Sequence, residues 1–77
     1  MIWTITNIES LGFKLIANQN KWCHFRGHGF DVYINLCKKV TNGNLFNFHS
    51  DKSSYKGHFR AVIKTEEEFK TLLRIIQ

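Results

Sequence analysis

Residues 22–35 read Trp22-Cys23-His24-Phe25-Arg26-Gly27-His28-Gly29-Phe30-Asp31-Val32-Tyr33-Ile34-Asn35, two alternating runs joined by a pair of turn-forming residues. Alternation of period two places successive side chains on opposite faces of a strand, and the length of the turn decides which residues of the two runs share a face. A two-residue His28-Gly29 turn pairs Gly27 with Phe30. It then sets Arg26 opposite Asp31, Phe25 opposite Val32, His24 opposite Tyr33, Cys23 opposite Ile34 and Trp22 opposite Asn35. Every aliphatic residue falls on one side, and the one acid meets the one arginine across the strands. A three-residue turn would instead set His24 against Val32 and bury Arg26 beside Phe30. The shorter turn is therefore expected, and it leaves Trp22, His24, Arg26, Tyr33 and Asn35 on an outer face.

Period two continues on both sides of this hairpin, broken by turn residues at close spacing. Five short strands are expected near Phe13 to Ala17, Lys21 to Gly27, Phe30 to Val40, Asn44 to His49 and Gly57 to Lys64. The turns fall at Asn18-Gln19-Asn20, His28-Gly29, Asn42-Gly43 and Asp51-Lys52-Ser53-Ser54, two of them with glycine where a tight hairpin favours it. The second hairpin is harder to place. A two-residue Asn42-Gly43 turn buries Val40 and Leu45 but sends Phe46 and Phe48 outward beside Lys39 and Cys37. A glycine bulge at Gly43 that shifts the register by one is the expected remedy.

Two Thr-x-x-Glu signals mark helix starts near the ends of the chain. Thr6-Asn7-Ile8-Glu9 is expected to open about one turn of helix that stops at Gly12. Thr65-Glu66-Glu67-Glu68 opens a longer helix on which Phe69, Leu72, Leu73 and Ile76 share a face. The fold expected is α+β, an antiparallel meander sheet of four or five short strands with a short N-terminal and a longer C-terminal helix on one face. With 77 residues and no linker or repeat, one domain over residues 1–77 is expected.

Nine Lys or Arg residues lie between Ser10 and Lys64 against Asp31 and Asp51 alone, while Glu66, Glu67 and Glu68 sit together near the end. The positive field thus belongs to the middle of the molecule and favours an acidic partner or a soluble monomer. Two cysteines, no apolar run approaching membrane length and no basic leader point to a cytoplasmic protein with reduced thiols.

Cys23, His24, His28, Cys37, His49 and His58 are metal-ligating residue types, but no Cys-x2-4-Cys knuckle occurs and Cys23 and His24 point to opposite faces of one strand. No metal or other cofactor is expected. The same geometry separates Cys23 from His24 as a nucleophile and its base. Paired-carboxylate chemistry has only Asp31 and Asp51 outside the helix starts to draw on. Metal-independent cleavage of RNA is the enzyme reading with support, with His24, His58, Tyr33, Arg26 and Arg60 offering proton transfer and phosphate contact from one face. Leu11-Gly12-Phe13 followed by a strand bearing His24 resembles the opening of the HicA type of toxin, a family with a double-stranded-RNA-binding-like fold. Trp22-Cys23-His24 stands here where that family has Gly-Ser-His.

The first expectation is a non-enzymatic binding protein, such as a phage or mobile-element accessory protein or inhibitor. It would dock a macromolecule through a basic and aromatic sheet face made by Trp22, His24, Arg26, Tyr33, Lys39, Lys56, His58 and Arg60. The partner expected is a protein with an acidic or nucleic-acid-like surface. Direct binding of DNA or RNA by the same face is the alternative, with Phe46 or Phe48 as further stacking platforms. No membrane contact is expected, and an open sheet edge offers a route to a homodimer.

Overall fold

A computed structural model describes residues 3–19, 21–50 and 57–76. Helix α1 (Ile5–Ser10) starts two residues earlier than the Thr6 signal suggests, because Thr4 is its cap. The Thr4 hydroxyl accepts from the Asn7 N–H at 3.1 Å, and the Asn7 side-chain oxygen accepts from the Thr4 N–H at 3.2 Å. Asn7 thus does the work assigned to Glu9. The helix ends as expected, with Leu11 as its cap and Gly12 at φ +94°, a conformation that side-chain-bearing residues rarely adopt.

Five antiparallel strands follow in meander order: β1 (Lys14–Gln19), β2 (Trp22–Gly27), β3 (Phe30–Val40), β4 (Gly43–Ser50) and β5 (Gly57–Ile63). Asn18 and Gln19, expected in a turn, extend β1 instead. The turn expected at Asp51-Lys52-Ser53-Ser54 lies outside the described residues. Helix α2 (Glu66–Ile76) closes the chain. Its start is the expected box, with the Glu68 N–H donating to the Thr65 hydroxyl at 3.1 Å and the Thr65 N–H to the Glu68 carboxylate at 3.2 Å.

The first hairpin has the expected register at all six pairs, from Trp22 opposite Asn35 to Gly27 opposite Phe30. His28 and Gly29 both take positive φ, as this hairpin turn demands. The second hairpin departs from both expected forms. Its turn is Thr41-Asn42, one residue earlier, with φ of 49° and 63° and Val40 opposite Gly43. The bulge lies in β3 rather than at Gly43: Ile34 pairs with Phe46 and Lys39 with Asn44, so residues 35–38 face Leu45 alone. Asn44 fastens this bulge, its buried amide donating to the carbonyls of Asn35 at 3.2 Å and Lys38 at 2.9 Å. Gly43 is glycine for a different reason than the turn. A Cβ there would stand 2.7 Å from the Ile63 carbonyl oxygen on β5.

The shifted register turns Phe46 and Phe48 inward, where both are fully buried. They join Phe25, Phe30, Val32 and Ile34 from the sheet and Ile8, Phe69, Leu73 and Ile76 from the helices, so both helices cover one face. The Phe69 ring lies 5.1–5.9 Å from the rings of Trp3, Phe13, Phe46 and Phe48. Trp3 also donates its indole N–H to the Ile63 carbonyl at 3.1 Å, tying the N-terminal segment to the end of β5. Each such buried aromatic contributes on the order of 2–3 kcal/mol. Among the described residues no helix is long and apolar enough to cross a membrane.

Candidate functional site

The face of the sheet away from the helices is uncovered by any described element, and strand register assigns its residues to rows. One row runs Ala17, His24, Tyr33, Asn47, Arg60 across the five strands. The next runs Lys14, Arg26, Asp31, His49, His58. Beyond the first row, at the end of the face that holds the second hairpin, lie Trp22, Asn35, Val40, Leu45 and Val62. Of the residues expected at the site, Trp22, His24, Arg26, Tyr33, His58 and Arg60 are brought to this one face.

Lys39, Phe46 and Phe48 stand elsewhere. Lys39 pairs with Asn44 after the bulge and so projects on the helix side of the strand, because the three extra residues in β3 alter its phase. Phe46 and Phe48 are core residues and offer no surface for stacking. Lys56 lies outside the described residues. His49, not among the residues expected at the site, also belongs to the face, opposite Asp31.

Aromatic rings form a continuous diagonal over the face. His24 stacks on Tyr33 with centroids 4.4 Å apart and planes 13° from parallel. Tyr33 meets His49 edge-on at 5.2 Å, and His49 stacks on His58 at 5.1 Å and 19°. Asp31 is the only carboxylate among the described residues of the face. Its Oδ1 accepts from His24 Nε2 at 2.8 Å and from Arg26 Nε at 2.9 Å. Partial burial pushes the Asp31 carboxyl up, but the hydrogen bonds from His24 and Arg26 and their charges outweigh it and hold the group below its usual range. The acids of the helices, Glu9 and Glu66 to Glu68, belong to the opposite layer.

The face also changes character along its length. Trp22 is 50% exposed and Val62 39%. Trp22, Asn35, Lys38, Val40 and Leu45 line a depression of about 90 Å³, and a second of about 230 Å³ lies between Trp22, Ala17, Gln19, His24 and Tyr33. An apolar end that runs from Trp22 on β2 through Val40 and Leu45 to Val62 on β5 therefore adjoins a belt of imidazoles and guanidiniums. Chemically the belt is a set of hydrogen-bond donors. His24 and His58 stand on β2 and β5, three strand spacings or roughly 14 Å apart, which separates them as an acid and base for one phosphodiester.

The two thiols do not meet this face as a pair. Cys23 is buried on the core side near Asn18, and burial, with a smaller effect of Cys37, pushes its thiol up, while Cys37 is exposed in the bulge. No group of three metal-ligating side chains occurs among the described residues. Comparison with known protein families, with curated proteins and with solved structures finds no match to this chain.

Proposed function

We propose that the chain is a small binding protein that docks a partner protein with an acidic or nucleic-acid-like surface through the uncovered face of its sheet. The observation that carries this reading is the half-exposed Trp22, which shares a depression with Val40 and Leu45 and stands beside His24 on β2, with Arg26 further along that strand and Arg60 across the face on β5. A tryptophan in an apolar surround with arginine and tyrosine beside it is the composition that concentrates interface energy once water is excluded. The belt supplies orientation and selectivity for an acidic partner, since its single carboxylate is already held by two donors. Tyr33 favours a protein over a nucleobase: His24 covers one face of its ring and His49 meets it edge-on, which reduces the platform a base would stack on. Such docking suits an accessory protein or an inhibitor.

The test is recovery of the partner from native host extract by wild type and by the Trp22→Ala, Arg60→Ala double variant, with and without nuclease. The expected result is a defined protein retained after nuclease, lost in the double variant and only weakly sensitive to salt. Retention by the double variant overturns the site. Loss on nuclease treatment, with affinity for unrelated sequences falling log-linearly in salt, replaces the reading with direct nucleic-acid binding.

A further inference from the structure

We infer that Asn47, His49, His58 and Arg60 form a binding site for a tetrahedral oxyanion of the phosphate or sulfate type. Asn47 stands opposite Arg60 and His49 opposite His58 on the β4–β5 ladder, so the four residues occupy the corners of a rectangle on the uncovered face. Its sides are about 5 Å across the strands and about 6.7 Å along them. Every corner can present an N–H donor, from amide, imidazole or guanidinium. A tetrahedral anion seated over the centre has an oxygen for each corner, whereas a planar carboxylate reaches two. That difference in valence gives the site its preference.

The surroundings leave the donors available. The side chains of Asn47, His49, His58 and Arg60 have no hydrogen-bond acceptor or ion-pair partner among the described residues, and His49 and His58 contact each other only as stacked rings 5.1 Å apart. Asp31 faces His49 from β3, but its Oδ1 is occupied by His24 and Arg26. Tyr33 meets His49 with a ring edge and Arg60 adds fixed positive charge from β5. Two imidazolium groups at this separation repel each other, and an anion shared between them relieves that repulsion.

This site lies on the face assigned to docking but does not depend on it, because anion binding is read on the isolated protein and docking on a complex. Sodium sulfate is titrated into the full chain, against sodium chloride at matched ionic strength and sodium acetate. Ring signals of His49 and His58 and the Arg60 side chain, followed by nitrogen–proton correlation spectra, are expected to shift saturably with sulfate and only weakly with acetate. Arg60→Ala and His58→Ala should each weaken sulfate binding by about tenfold, while Lys70→Ala on the helix side leaves it unchanged. Shifts equal to those given by chloride, or equal losses in Lys70→Ala and Arg60→Ala, would overturn the site.

Discussion

Asp31 concentrates two of the face's donors on one oxygen, and its behaviour with pH reports whether they hold it in solution. Burial works against its charge, yet hydrogen bonds from His24 and Arg26 bring the carboxyl below its ordinary range. A native value below the unfolded one means that the carboxylate stabilises the fold above the ordinary value of about 3.9 and loses that contribution as the pH drops through the native value. The side chain is about one-third exposed and Arg26 more so, so screening by solvent keeps the contribution small. Asp31→Asn should therefore lower stability by less than about 1 kcal/mol at neutral pH. Urea midpoints of the two proteins should converge as the pH falls through the native value of Asp31. A difference that persists in acid would mean that the asparagine disturbs packing and that the ionic account is wrong.

At the scale of elements, the first hairpin was legible because turn length, alternation and charge pairing all select one register. The second was not, and the reason lies in two particular residues. Gly43 mimics a turn glycine in the sequence but is fixed by the approach of Ile63 from β5, a contact 20 positions away in the chain. Asn44 resembles a surface strand residue but is buried, with its amide closing the bulge in β3. Both are tertiary signals that no local pattern carries, and from them follow the place of the bulge in β3 and the displacement of Lys39, while the inward turn of Phe46 and Phe48 is what the expected register shift already required. The site was legible to the extent that its residues lie on β2, the first part of β3 and β5. The helix boxes show the same division: Thr65 and Glu68 formed as read, while Thr4 and Asn7 took the place of Thr6 and Glu9 because asparagine can close the box as well as glutamate. Thr41 now occupies a left-handed position that costs a β-branched residue about 1–2 kcal/mol and that asparagine tolerates better. Thr41→Asn should raise the urea midpoint, by about 1 kcal/mol in free energy, and Gly43→Ala should lower it through collision with the Ile63 carbonyl. A tolerated Gly43→Ala with a harmful Thr41→Asn would place the turn one residue later.

The whole molecule divides its charge unevenly. On the helix side Glu9 and Glu66 to Glu68 are offset in part by Lys39, Lys70 and Arg74, whereas the uncovered sheet face carries Lys14, Arg26 and Arg60 with three histidines against Asp31. It is also open, with β1 and β5 at the two edges of the sheet. Unpaired strand edges invite pairing with a second copy, and natural sheets interrupt them with bulges, lysines or charges that face their own kind. Edge β1 has a register break at Ile16 and carries Lys14. Edge β5 is unbroken in its pairing with β4 from Gly57 to Ile63, and its midpoint is Arg60. Antiparallel pairing of β5 with its copy about a two-fold axis at that midpoint sets Arg60 opposite Arg60 and His58 opposite Val62. Like charges directly opposite destabilise a ladder, and a net charge of +5 on each copy adds to the repulsion. The chain is therefore expected to sediment as a monomer at low ionic strength. Arg60→Val removes the central clash and supplies a strand-forming side chain, so this variant should dimerise at concentrations where the wild type does not, and salt should narrow the difference between them. A wild-type dimer at low salt, undiminished in the presence of Arg60, would show that the edge is an interface in its own right and that Arg60 does not guard it.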